Sequence, residues 1–433
     1  MRPDASRRQF RLLWSRATAH EQPKPDQFGG PLGALALSIV MPLAGFYLWS
    51  AIEHHGGSLW LPSSMEDVAA MIPAPTPTAC ISFAIFLLVH AVLYVFGPGK
   101  VVQGRPAPSG ESAEYRINGL FAFIVTTVGL IGALMFDILS AKTVLDELGP
   151  LLTLATVFSF VAAGLCYVVG RRRGGLERST GNVIYDYFMG TVLNPRLGRH
   201  DLKFFFESRV GMGGWAAFAV LLPAAQIEAQ GELSTAMLVV TLCQALYIVD
   251  FFVLEANLLS MIDIIEENFG FMLWIAFLVW MPFNFTIQQQ YVLEAQPDLP
   301  AWAAIALLAL NVVGYYIFRS ANLQKQQFRR DPSRKIWGKV PQSMQTERGT
   351  KLLLSGWWGI ARHANYFGDM LMAFAWCMAC GFGSVVPFFY VIYFVPLLID
   401  RERRDHSMCQ RKYGDDWDRY CEKVPYRIVP FVY

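Results

Sequence analysis

The stretch LLLSGWWGIARHANYFGD, from Leu352 to Asp369, decides how this chain must be read. It sets two adjacent tryptophans, an Arg-His pair, an Asn-Tyr pair and an acid into one short polar island. Apolar runs of membrane length flank it on both sides. A water-soluble core has no use for such a segment, and bare lipid would leave its polar groups unpaired. The island therefore belongs where the chain leaves a bilayer, as the lining for something charged and aromatic.

Composition agrees. The chain of 433 residues is 54% hydrophobic, has a mean hydropathy of +0.35 and is only 16% charged, against about 25% in soluble domains. With 12 Trp, 32 Phe and 17 Tyr it reads as an integral membrane protein. The seven cysteines make no disulfide framework: five sit in apolar runs, and Cys409 and Cys421 fall in a basic tail. Cys377 and Cys380 form a CxxC, but with no His or second CxxC nearby no metal site is expected. Residues 1–30 lack the apolar core of a signal peptide and read as a cytoplasmic arm.

A hydrocarbon layer about 30 Å thick needs roughly 20 apolar residues in a helix. Runs near that size lie at 32–52, 79–96, 118–138, 151–170, 213–228, 234–260, 271–292, 301–318, 367–383 and 385–399. The spacing thus predicts an all-α polytopic protein of about ten spans. The last two runs, parted only by Gly383 and Ser384, predict a tight hairpin. Lys and Arg concentrate in alternate connections. They occur in the arm (Arg2, Arg7, Arg8, Arg11, Arg16), in the second loop (Lys100, Arg105, Arg116), and in the fourth, from Arg171 to Lys203 and Arg209. The loop after span eight and the tail are also basic. That alternation places both termini in the cytoplasm. Asp263, Glu266 and Glu267 make the sixth loop acidic on the same side, but acids count little in this rule. Basic loops that only set topology and touch anionic lipid explain the arm and Arg171–Arg173. The last loop and the tail interleave rings and amides with their charges, which topology does not require.

Four constellations carry chemistry. The first is GNVIYDYFMGTVLNPRLGRHDLKFFFESR, Gly181 to Arg209, punctuated by Gly and Pro. The second lies within a span, QALYIVDFFVLEANLLSMID, where Gln244, Tyr247, Asp250, Glu255 and Asn257 cannot all face lipid. Tyr247, Asp250 and nearly Asn257 would share a helical face, and Asn284 and Gln288–Gln290 add amides from the next span. Helix–helix hydrogen bonding is one reading of these groups; a membrane-embedded pocket with an acid that protonates an apolar substrate is the other. The third joins NLQKQQFRRDP, at 322–332, to the island. Lys325 and Arg329 are spaced to present two cations to a phosphate. Trp357 or Trp358 could stack on a flat heterocycle, with Asn365 reading its amide edge, while His363 alone suits a structural hydrogen bond. The fourth is the tail, where Asp405, Cys409, Arg411, Lys412, Tyr413, Trp417 and Tyr420 alternate charge with aromatic surface. No GxGxxG follows a strand, so a Rossmann domain is excluded.

These motifs resemble the signatures of the sterol reductase family, which includes the delta-14 and delta-7 sterol reductases and the lamin B receptor. Tyr185, Asp186, Gly190, Leu193, Asn194, Pro195 and Arg196 stand in register with the first signature, the island resembles the second, and Asp405 to VPYRIVP resembles the third. Glu207 stands where the delta-14 branch carries an acid and the delta-7 branch tends to an amide. The resemblance runs from about Gly181 to Tyr433 and implies reduction of a sterol ring double bond by NADPH, bound in a helical cleft at the cytoplasmic mouth. It implies a domain plan of an arm at 1–30, a four-helix membrane region at 31–170 and a catalytic region at 171–433. Carried over by motif, the cofactor contacts would be Lys325, Arg329, Leu353, Trp358, Asn365, Tyr366, Asp405, Cys409, Gln410, Arg411, Lys412, Tyr413 and Tyr420. The substrate pocket would hold Gln244, Tyr247, Asp250, Glu255 and Asn284. An isolated alkene accepts hydride only after protonation, so an acid relay is expected: Tyr247 with Asp405, or else Asp250 or Glu255. The partners implied are a membrane sterol and the bilayer, without nucleic acid, in a bacterial inner membrane or a eukaryotic endoplasmic reticulum.

Two other classes stay open on the residues. Arg362-His363-Ala364-Asn365-Tyr366 overlaps the RHxxY-like element of membrane methyltransferases that use S-adenosylmethionine, although that ligand has no phosphate for Lys325 and Arg329. A non-enzymatic sterol-binding protein would leave the polar island and tail unexplained.

Overall fold

The computed structural model describes residues 27–106, 112–172 and 179–433; the arginines of the arm, with Arg173 and Arg178, lie outside them. Each of the ten expected apolar runs contains a helix, though the runs at 118–138, 234–260 and 367–383 outlast these helices. In chain order they are α1 (Gly30–Glu53), α2 (Pro77–Phe96), α3 (Gly119–Met135), α4 (Leu148–Arg172), α5 (Leu202–Gln230), α6 (Thr235–Val253), α7 (Phe271–Ala295), α8 (Ala301–Arg330), α9 (Ala364–Met378) and α10 (Phe389–Tyr413). A last short helix, α11, spans Asp415–Lys423. Seven of them, α1, α2 and α4 to α8, are long and apolar enough to cross a membrane; α3 is shorter and equally apolar. This is a mostly helical, multi-pass membrane protein.

Local chemistry sets several boundaries. Thr76 Oγ1 accepts from Ala79 N at 3.0 Å and Pro77 occupies the first turn of α2, where its missing N–H costs nothing. Asp201 caps α5 by accepting from Phe204 N at 3.0 Å. That helix starts at Leu202 rather than near 213, so Lys203 and Arg209, which read as loop cations, are fully buried inside a span. Two spans contain π-helical stretches, Phe206–Gly211 in α5 and Ala276–Asn284 in α7, and these pack on each other.

The chain forms two compact units. One comprises residues up to Leu233 together with Ala245–Leu293; the other comprises Ser234–Gln244 and Glu294–Tyr433. In the first, α5 packs against α3 and α7, and α7 against α4. Its core is unusually aromatic, with Trp215, Tyr185, Phe188, Phe204, Phe269 and Phe271 fully buried.

In the second unit α8 and α9 are the main pair. Gly314 and Gly368 let their backbones touch: a Cβ on Gly368 would lie 2.5 Å from Gly314 O and from Phe318 N. This approach brings the island that leads into α9 against the polar residues ending α8. Ala321, Gln324 and Phe328, spaced three and four apart, form the buried stripe that receives it.

Candidate functional site

The second unit gathers most of the expected cofactor residues. Lys325, half-buried on α8, holds its Nζ 3.8 Å from the ring centre of Trp358. Such a contact contributes about 0.5–2 kcal/mol. Trp358 is buried among Phe328, Ile336 and Leu353, and its Nε1 donates to Ala321 O at 2.7 Å. One face of this ring is thus taken by Lys325, so the expected stacking of a heterocycle there requires Lys325 to move. Trp357 is half-buried, its N–H donating to Gln324 Oε1 at 2.9 Å and its Nε1 to Ser320 Oγ at 2.7 Å. Arg329, one turn beyond Lys325, is exposed.

Asn365 and Tyr366 open α9. Asn365 Nδ2 donates to Asn322 Oδ1 at 3.3 Å, while its Oδ1 is buried without a hydrogen-bonding partner. Among the described residues nothing meets this buried acceptor, and such a group costs about 1–3 kcal/mol. Asp405, Cys409, Gln410, Arg411, Lys412 and Tyr413 all lie on α10, and Tyr420 on α11. Cys409 and Tyr413 pack against Trp417 and Tyr420, and Tyr420 OH reaches Trp358 O at 3.5 Å. Burial pushes the Cys409 thiol up to about 12 and raises the Tyr420 phenol further, so both stay protonated. Asp405 Oδ2 lies 3.5 Å from His363 Nε2, and the His363 ring stacks on Tyr366 with centroids 4.8 Å apart. Gln410 and Lys412 turn to local partners: Gln410 donates to Asp418 at 2.9 Å, and Lys412 sits over the Tyr413 ring.

The first unit holds the expected membrane acids. Tyr247 is half-buried with its ring 5.5 Å from Trp215, which in turn lies 5.2 Å from Phe285. The neighbouring Asn284 is buried on the π-helical stretch of α7, and among the described residues its Nδ2 has no hydrogen-bonding partner. Asp250 is half-buried. Gln244, buried on the same helix, belongs to the second unit. Two positions differ from expectation because α6 stops at Val253 and gives way to a tighter 3-10 turn over Glu255–Ser260. Asn257 leaves the Tyr247 face and is exposed. Glu255 turns to Arg209: the pair is 2.5 Å apart with both side chains fully buried. Gly119 N donates to the other Glu255 oxygen at 2.7 Å, and Arg209 Nη2 donates to Asn118 Oδ1 at 2.6 Å. Glu207, which carries the delta-14 reading, is buried on the π-helical stretch of α5.

Residues 22–433 match the family model described as the Ergosterol biosynthesis ERG4/ERG24 family. The chain belongs to this family. It is 44% identical to the Delta(14)-sterol reductase of Methylotuvimicrobium alcaliphilum, over 94% of this chain and 96% of that protein. It is 38% identical to the mouse Delta(14)-sterol reductase TM7SF2, over 94% and 98%. With the 7-dehydrocholesterol reductase of Xenopus laevis it shares 36% identity over 90% and 89%. Membership decides between the classes left open by the residues, in favour of the sterol reductases.

In this member of the ERG4/ERG24 family the structure adds residues that sequence reading left aside. Arg362 N and His363 N donate to Tyr426 O and Arg427 O, at 2.9 and 2.8 Å, so the closing PYR segment clamps the island. Arg427 pairs with the buried Glu402 at 2.8 Å. Arg362 reaches Cys421 Sγ at 2.8 Å, and Trp417 donates to His406 Nδ1 at 3.0 Å. The Ala321-Gln324-Phe328 stripe was readable as a helical period; the tail contacts, some 60 residues from the island, carried no local signal.

Proposed function

We propose that the chain reduces the 14,15 double bond of a sterol with NADPH. The observation that carries this is the gathering, in one unit, of a cation on Trp358, the buried unpaired Asn365 carbonyl and Asp405, in a chain whose Delta(14)-sterol reductase relatives align over 94% of its length. Glu207 favours this reading over delta-7 reduction. The residues fit a dinucleotide without a Rossmann fold. Lys325 and Arg329 would take phosphate charge, Asn365 the carboxamide, and Tyr366, Tyr413 and Tyr420 its flat and ribose surfaces. NADPH, when bound, supplies hydride.

The chain's own work is the proton. Tyr247, in one unit, and Asp405, in the other, are the residues proposed to supply the proton to one alkene carbon, leaving a tertiary cation at the other for the hydride. Dry aromatic walls around Tyr247 slow capture of that cation by water. Asn284 and Asp250 belong to the proposed sterol pocket. Glu255, engaged by Arg209 and Gly119, is placed as a support for that region. The finer topology belongs to the same proposal: ten spans, both termini and the cofactor cleft cytoplasmic, a supporting region at 31–170 and a catalytic one at 171–433. The membrane would be the inner membrane of a bacterium or the endoplasmic reticulum of a eukaryote.

Incubation of the purified protein with NADPH and separate delta-14, delta-7 and delta-24 sterol dienes tests this. Mass spectrometry should find two hydrogens added to the delta-14 diene alone. Reduction of the delta-7 diene instead would move the assignment to that branch, and no reduction of any diene would refute it.

A further inference from the structure

The His363–Asp405 contact reaches beyond a cofactor cleft. His363 is buried and constrained on three sides. Its N–H is bound to Arg427 O at 2.8 Å, its carbonyl accepts from Tyr366 N at 3.0 Å, and its ring lies flat on Tyr366 at an interplanar angle of 15°. The stack sets the plane of the ring, and in the structure Nε2 lies toward Asp405 Oδ2 at 3.5 Å. Asp405 itself is half-buried on α10, and its other polar contact among the described residues is the weak donor Cys409 Sγ at 3.9 Å.

We propose that His363 is a positioning residue: as a neutral imidazole with its proton on Nε2, it donates to Oδ2 of the Asp405 carboxyl group and holds that acid in one orientation, leaving the other carboxyl oxygen to carry the proton that is delivered. The inference rests on the reading of Asp405 as part of the acid relay. Neutrality follows from the surroundings. Burial, with Lys325 and Arg362 facing the ring, drives the imidazole down to about 3. With Oδ2 as the accepting oxygen of the acid, the neutral ring presents N–H to it, because a bare Nε2 lone pair would face another acceptor. The separation is long for a hydrogen bond; catalytic contacts of this kind are often loose before substrate binds.

Amide replacements test which nitrogen matters. In His363→Gln the amide nitrogen falls near the position of Nε2; in His363→Asn it falls near Nδ1. In the purified full-length protein with NADPH and a delta-14 diene, His363→Gln should keep kcat within about threefold, while His363→Asn and His363→Phe lose roughly 10–100-fold through misplacement of the acid. His363→Phe still offers a ring to Tyr366, so KM for NADPH should move far less than kcat. Asp405→Asn is the control for the reading beneath. If it abolishes reduction while all three His363 variants keep wild-type kcat, the positioning role is wrong and the acid stands. If Asp405→Asn reduces sterol at the wild-type rate, the acid assignment fails and takes this inference with it. Equal losses in His363→Gln and His363→Asn, matched by equal losses of thermal stability, would also overturn it in favour of packing alone.

Discussion

Replacing Glu255 by Gln separates two accounts of this residue. As an acid in a sterol pocket, Glu255 would be needed for the reaction and little else. The structure instead makes it a structural partner. With Arg209 it forms a fully buried ion pair at 2.5 Å, and it accepts from Gly119 N at 2.7 Å. Breaking a buried pair by removing one partner leaves an uncompensated charge and costs about 3–5 kcal/mol. Two features place Glu255→Gln near the lower end. Arg209 keeps its bond to Asn118 and its position 5.5 Å from the Tyr94 ring centre, and Gln keeps an acceptor for Gly119. About 3 kcal/mol is therefore expected, roughly a 150-fold change in the unfolding equilibrium. Neutral hydrogen bonds between membrane helices average only about 0.6 kcal/mol, so a loss of this size would mark the pair as ionic. Glu255→Ala also orphans Gly119 N–H and should cost about 1–3 kcal/mol more. Removing both charges in Arg209→Met/Glu255→Met should restore much of the loss. Tryptophan fluorescence in detergent, followed during chemical unfolding, gives these values, and sterol reduction is measured at a temperature where each variant is folded. If Glu255→Gln unfolds like the wild type yet cannot reduce sterol, the pair is not what holds this region, and Glu255 is the acid after all.

Other expectations concern the second unit and the relay. Lys325→Met removes the cation from Trp358 and from any bound phosphate; loss of a charge-assisted bond of about 1.5–3 kcal/mol should raise KM for NADPH roughly 10–100-fold, with a smaller effect on kcat. Tyr247→Phe and Asp405→Asn should each lower kcat at least about 100-fold, while NADPH quenching of tryptophan fluorescence persists in Tyr247→Phe. Acid should destabilise the protein through His363. Its folded value of about 3 lies below the ordinary 6.5, so between those values the unfolded chain binds the extra proton. Stability is fully present above pH 6.5 and falls by about 1.4 kcal/mol for each pH unit towards 3. His363→Gln should flatten that slope in pH-dependent melting.

Why some of this was legible and some not is a matter of range. Helix positions follow from uninterrupted apolar runs, and each expected run contains a helix. The Lys325 and Arg329 pair was readable because i, i+4 spacing on one helix is local, although only Lys325 turns inward. The Glu255–Arg209 pair was not readable because its partners are distant in sequence and Arg209 lies in what read as a cytoplasmic loop. Nothing in QALYIVDFFVLEANLL announces that regular helix ends at Val253, yet that end decides where Glu255 and Asn257 point. The π-helical stretches in α5 and α7 are likewise set by the packing of two spans on each other, not by local propensity.

The same logic gives the closing PYR segment an energetic weight that its length conceals. Its two backbone acceptors, Tyr426 O and Arg427 O, satisfy the N–H groups of Arg362 and His363, where the island turns into α9. Pro425 O accepts from the Arg362 guanidinium at 3.2 Å, and the Arg427 guanidinium neutralises Glu402, which is 1% exposed. Arg427→Met should thus leave a buried carboxylate on α10, one turn before Asp405, at a cost on the order of 3 kcal/mol. Arg427 is partly exposed, so its own loss of solvation matters less than the orphaning of Glu402. Arg427→Met/Glu402→Gln should recover most of the stability, since no buried charge is left without a partner. Because the clamp holds the turn that opens α9, where Asn365 and Tyr366 stand, Arg427→Met should also weaken NADPH binding at least about tenfold, more than its distance from the cofactor residues would suggest. Wild-type affinity and stability in Arg427→Met would mean that the tail merely rests on the island, and the turn before α9 would then have to be held by the α8 stripe alone.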